Sequence, residues 1–77
     1  MYDKTLVIYG KVIRDIRQNK KLSQEELAER CGLHRTYISD VELGKRNVSL
    51  ENIIKISKSL DVNVSKIFIE VEKHKWI

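Results

Sequence analysis

Proline is absent from the 77 residues, and glycine occurs only three times, at Gly10, Gly32 and Gly44. Apolar residues recur at helical spacing almost throughout, so the chain reads as short helices with little punctuation between them. The first segment runs from about Leu6 to Asn19. Leu6, Tyr9, Ile13 and Ile16 share one face, while Lys11, Arg14 and Arg17 fall elsewhere. Asn19-Lys20-Lys21 then breaks the pattern. Ser23-Gln24-Glu25-Glu26 fits a capping box, in which the Ser23 hydroxyl accepts from the Glu26 N–H and the Glu26 carboxylate reaches back to Ser23. That reading accounts for the paired carboxylates without any acid–base chemistry.

The second helix is expected over residues 24–31, with Leu27, Ala28 and Cys31 inward. Gly32 follows where a helix commonly ends in a left-handed turn. The third helix is expected over 35–43, with Ile38 and Val41 inward and Gly44 ending it in the same way. Ser49 caps a fourth helix over 50–60, whose inner face is Leu50, Ile53, Ile56 and Leu60. Asn63 can cap a fifth over 64–72, where Val64, Ile67, Phe68 and Val71 complete the i, i+3, i+4, i+7 pattern. The β-branched and aromatic run Ile67-Phe68-Ile69-Glu70-Val71 is also compatible with a strand. The expectation is an all-α fold, one compact five-helix domain spanning residues 1–77.

Two short helices joined by a glycine-containing turn form a helix-turn-helix, here over about residues 24–43. The outward surface of its second helix is His34, Arg35, Thr36, Tyr37, Ser39 and Asp40. A plain helical hairpin has no use for this row of hydrogen-bonding groups. A recognition helix reads base edges with its N-terminal residues. Arg35 has the fork that pairs with O6 and N7 of guanine. Thr36 offers a methyl and a hydroxyl. Tyr37 can meet a phosphate or a base edge, and Ser39 can reach the backbone. His34 is read as a cap of the third helix or a contact to the DNA backbone, not as a metal ligand.

Composition narrows the alternatives. A chain this short buries only about 60% of its unfolded surface. One cysteine, Cys31, permits neither an intrachain disulfide nor a cysteine-based zinc site. Cys31 lies on an apolar stripe and reads as a small buried hydrophobe. His34 and His74 make no metal spacing. Gly44-Lys45 lacks the upstream glycine of a phosphate loop. Asn47-Val48-Ser49 and Asn63-Val64-Ser65 are chance glycosylation matches in a chain without a secretion signal. The longest apolar run, Leu6-Val7-Ile8-Tyr9, is too short to span a bilayer. These readings point to a soluble cytoplasmic protein with no membrane partner, no enzyme activity, no metal and no cofactor. The net charge of +4 is spread evenly, eight basic against six acidic in residues 1–40 and seven against five in 41–77. Any electrostatic footprint must therefore be arranged on the folded surface. One recognition helix reads too few bases for useful specificity, and Ile54, Phe68, Ile69 and Val71 exceed what one small core needs. A homodimer through the last two helices is expected.

The residues Leu22-Ser23-Gln24-Glu25-Glu26-Leu27-Ala28, Gly32-Leu33-His34-Arg35-Thr36-Tyr37-Ile38-Ser39 and Val41-Glu42-Leu43-Gly44-Lys45-Arg46-Asn47 resemble the lambda-repressor-like helix-turn-helix family. Within it they are most similar to the controller proteins of bacterial restriction–modification systems. The resemblance covers about residues 5–70. It implies a five-helix DNA-binding transcriptional regulator, acting as a homodimer on palindromic operators in double-stranded DNA, with RNA polymerase as a possible further partner. It implies base reading by Arg35, Thr36 and Tyr37, and phosphate contacts from Arg17, Gln24, Ser39, Arg46 and Asn47. Residues Glu72 to Ile77 show no family pattern, and no role is assigned to Trp76. An antitoxin-like interaction module of the same fold is the alternative. It would usually need a toxin-binding tail, for which the chain has little length.

Overall fold

The apolar spacing does produce helices. The computed structural model describes residues 4–75, with side chains as far as His74. Among them run α1 (Thr5–Asn19), α2 (Gln24–Cys31), α3 (Arg35–Glu42), α4 (Leu50–Leu60) and α5 (Val64–Lys75), and no strand. The Ile67–Val71 run is helical, and α5 continues past the expected residue 72. Trp76 lies outside the described residues. Helix α1 packs on α3 and α5, α2 on α3 and α4, and α4 on α5. Ile13, Leu27, Ile38, Val41, Ile56, Leu60 and Ile67 are fully buried where these faces meet. Each such burial contributes about 1.5–3 kcal/mol.

Four of the helices end in one geometry. After α2, Leu33 N–H donates to Ala28 O and Gly32 N–H to Glu29 O. The same pair of bonds closes α1 at Lys21 and Leu22, α3 at Gly44 and Lys45, and α4 at Asp61 and Val62. This is the Schellman arrangement, which places one residue in the left-handed region. Glycine fills that place at Gly32 (φ +69°) and Gly44 (φ +76°), but Lys21 (φ +59°) and Asp61 (φ +57°) fill it elsewhere. Gly10 serves a different purpose. It lies inside α1, and a Cβ there would stand 2.2 Å from Val41 O and 2.7 Å from Glu42 O. Helices α1 and α3 therefore cross in backbone contact.

Several side chains lie elsewhere than expected. Val71 is in the core, and Phe68 stacks on Tyr9 with ring centroids 5.8 Å apart. Of the four apolar residues expected to exceed the core, only Ile54 and Ile69 remain exposed. Leu50, expected on the inner face of α4, is 71% exposed. Arg17 is not on the outer side of α1. It follows Ile13 by four residues, shares its inward face and is buried. The buried Tyr9 hydroxyl has no hydrogen-bond partner among the described residues, and burial pushes its pKa upward.

Candidate nucleic-acid interface

Local chemistry sets where α2 and α3 begin. Ser23 Oγ accepts from Glu26 N–H (3.0 Å), and Ser23 N–H donates to Glu26 Oε1 (2.9 Å), completing the capping box. These bonds from Ser23 hold the Glu26 carboxyl below its ordinary pKa. Ala28 and Cys31 are buried in the small space between α2 and its neighbours, and desolvation raises the Cys31 thiol pKa. Gly32 then turns the chain, and His34, extended at φ −76° and ψ 146°, leads into α3. The His34 side chain makes no capping bond. Its imidazole is exposed instead, so the expected cap is supplied by backbone alone.

Ile38 and Val41 fix α3 on the core, and the opposite side of the helix faces outward. Arg35 and Thr36 are exposed in its first turn, while Tyr37, Ser39 and Asp40 are half-buried. Arg35 Nη1 lies 3.4 Å from Gln24 Oε1 at the start of α2. Tyr37 is held from two sides. Its hydroxyl accepts from Asn52 Nδ2 of α4 (3.0 Å), and the Arg46 guanidinium lies over its ring at 5.1 Å. Arg46 Nε is also 3.7 Å from Asp40 Oδ2. Such a half-exposed pair contributes little energy, but with the ring contact it draws the loop cation to the side of α3. Asn47 is exposed in the same loop. The surface so formed joins Gln24, His34, Arg35, Thr36, Tyr37, Ser39, Arg46 and Asn47. It is rich in donors and has a fork-shaped cation at its leading end.

Arg17, expected to hold a phosphate, does not join them. Its Nε and Nη2 donate to Glu42 Oε2 (2.6 Å) and Oε1 (3.0 Å), and its Nη1 donates to Leu22 O (2.7 Å). The Arg17 and Glu42 side chains are only 10% and 2% exposed. Two charges at such depth persist only because each answers the other in a bidentate fork. Glu42 also accepts from Gln24 Nε2 (3.0 Å). Glu42 and Asn52 received no role from sequence. Glu42 does carry a signal, since it lies four residues beyond the buried Ile38, on the inward side of α3. A carboxylate and a guanidinium, each on an apolar stripe, are partners. Asn52 carries no such signal.

Among the described residues no group of His, Cys, Asp and Glu could hold a metal ion, and no helix is long and apolar enough to cross a membrane. The helix-turn-helix family profile matches residues 13–67. The control protein C.BamHI of Bacillus amyloliquefaciens is 60% identical over 57 residues, which are 73% of this chain and 70% of that relative. Among solved structures, the restriction–modification controller protein C.AhdI of Aeromonas hydrophila aligns with a TM-score of 0.80. It is 48% identical, over 82% of this chain and 96% of that one. The wild-type restriction–modification controller protein C.Esp1396I aligns with a TM-score of 0.86 at 35% identity, over 94% of this chain and 95% of that one. With its helix-turn-helix exposed and α3 lined with hydrogen-bonding side chains, the chain belongs to the lambda-repressor-like helix-turn-helix family of DNA-binding regulators, not to a family of enzymes, and within it is similar to the restriction–modification controller proteins.

Proposed function

We propose that the chain is the autoregulating controller of a restriction–modification operon, binding palindromic operators in double-stranded DNA as a homodimer in the bacterial cytoplasm. The observation that carries this reading is the exposed first turn of α3, with Arg35 and Thr36 outward and Tyr37 and Arg46 beside them. Arg35, Thr36 and Tyr37 read bases in the major groove. Gln24, His34, Ser39, Arg46 and Asn47 meet phosphates along its edge. Arg17 takes no part, because its donors are directed inward.

The second copy docks through α4 and α5. Leu50 and Ile54 follow one another at i, i+4 on α4, and both are exposed, as is Ile69 on α5. These apolar side chains have no use in the single domain. Two subunits double the bases read, which one short helix needs for a useful specificity ratio. RNA polymerase is the further partner when the bound dimer activates.

The test is selection from a random duplex library, followed by sedimentation of the complex. Recovery of an inverted repeat bound by two chains supports the reading. If no duplex is preferred, and affinity for DNA does not respond to salt, the regulator reading fails and a protein-interaction module of the same fold takes its place.

A further inference from the structure

The buried ion pair connects to the reading surface through a single amide. Glu42, forked by Arg17, offers only acceptors. The Gln24 side chain facing it must therefore present its NH2 group, and Gln24 Nε2 does donate to Glu42 Oε1 at 3.0 Å. The amide is planar, so its oxygen is directed the other way. There it meets Arg35 Nη1 at 3.4 Å. Arg35 and Glu42 are seven residues apart, two turns along the same side of α3, and Gln24 spans them from the first position of α2.

We propose that Glu42 is a positioning residue for base reading: its buried carboxylate orients the Gln24 amide so that the amide oxygen holds the Arg35 guanidinium at the leading end of α3. The proposal rests on the reading of Arg35 as the residue that meets a base. One N–H of Arg35 is used on Gln24, which leaves the Nε–Nη2 edge open for the two acceptors of guanine. A guanidinium held in place loses less rotamer freedom on binding, and only the duplex carrying that guanine gains from it. The relay therefore raises discrimination between sequences more than it raises affinity for DNA at large. The second N–H of the Gln24 amide remains available to a phosphate.

The experiment uses the full chain and a duplex selected by it from a random library, together with the same duplex carrying A·T at the G·C pair that Arg35→Ala ceases to distinguish. The quantity read is the ratio of the two affinities, at a temperature where each variant has the wild-type helical dichroism. In Glu42→Leu no acceptor faces the Gln24 amide, which is then free to turn and no longer fixes its oxygen toward Arg35. The ratio should fall about three- to tenfold, while affinity for the substituted duplex stays near the wild-type value. In Gln24→Ala the ratio should fall by the same factor, with both affinities lowered further by loss of a phosphate contact. The double variant should lose no more of the ratio than the larger single loss. An unchanged ratio in Gln24→Ala, or in folded Glu42→Leu, overturns the relay even if stability has dropped. Should Glu42→Leu not fold, the wild-type chain decides the orientation by NMR. One Gln24 side-chain amide proton should exchange slowly, and two fast, equivalent protons overturn the proposal. If Arg35→Ala keeps full discrimination at every position, the reading of Arg35 has failed and the proposal goes with it, an outcome distinct from failure of the relay alone.

Discussion

Gly10→Ala separates intrinsic helix propensity from tertiary contact more sharply than any other single change in this chain. Gly10 is well inside α1, so propensity alone makes alanine the better residue by about 1 kcal/mol. The structure reverses the sign. The added carbon would lie 2.2 Å from Val41 O, 2.7 Å from Glu42 O and 2.9 Å from Glu42 C, all backbone atoms of α3. Relief requires α1 and α3 to move apart by about 1 Å, since carbon–oxygen contacts below roughly 3 Å are repulsive. That separation loosens Ile13, Ile38 and Val41 and stretches the fork between Arg17 and Glu42. Overpacking of this kind costs about 1–3 kcal/mol, and a strained buried ion pair adds to it, so a net loss of about 3 kcal/mol is expected. For a domain of this size that lowers Tm by roughly 12–24 °C. Gly32→Ala is the internal control. A Cβ at Gly32 meets nothing within 4 Å, and only the positive φ opposes it, at about 1–2 kcal/mol. The assay is urea and thermal unfolding followed by circular dichroism. A Gly10→Ala protein as stable as wild type, or more stable than Gly32→Ala, would refute the close crossing of α1 and α3.

Other outcomes follow from the caps and the two surface arginines. Lys21→Gly and Asp61→Gly, which place glycine in the two left-handed helix ends held by other residues, should each raise stability by about 1 kcal/mol in thermal melts. A loss at either position would show that the left-handed turn carries no strain there. Ser23→Ala should lose about 1 kcal/mol of folding free energy and keep its preferred operator. Because the folded-state pKa of Glu26 is lowered, the capping box contributes fully above its ordinary value of 4.5 and weakens as pH falls through and below it. The difference in stability between wild type and Ser23→Ala should narrow over that acid range, and a constant difference would remove Glu26 from the account. Arg35→Ala should relax preference at one base pair per half-site, by about 1–3 kcal/mol, with little change in binding to random duplex. Arg46→Ala should weaken both kinds of binding and reduce the salt slope by about one per subunit. Interchangeable profiles for the two variants would deny Arg35 a base.

What could be read from the sequence was what neighbouring residues decide among themselves. Ser23 and Glu26 are three apart and cap one another wherever the rest of the chain goes. The turn at Gly32 is equally local, and the complete apolar period of Val64, Ile67, Phe68 and Val71 was enough to choose helix over strand. The misreadings concern partners distant in sequence. Arg17, set apart from the apolar face by spacing and placed on a phosphate by resemblance, lies four residues after Ile13 and turns inward because its partner Glu42 is on another helix. Phe68 reads as surplus to the core because nothing local shows that Tyr9 of α1 lies against it. Lys21 and Asp61 adopt the left-handed turn without the glycine that marks it elsewhere. The row of hydrogen-bonding side chains along α3 is legible residue by residue, but its bracing is not. Asn52 reaches Tyr37 from α4, and Gln24 reaches Arg35 from α2.

The fork between Arg17 and Glu42 also determines how the protein can accommodate an imperfect site. Interfaces built from methyl groups slide easily, because one apolar contact replaces another at little loss. A two-point ionic contact does not. Moving α3 along its axis by one residue, about 1.5 Å, would pull the carboxylate oxygens off their donors and strand two charges in the core at several kcal/mol. The helix is in this sense keyed to the body of the domain and projects to a fixed depth. Where groove width departs from what α3 presents, the compliance must come from the duplex. Base pairs that no side chain touches then enter the choice of site through how readily they bend.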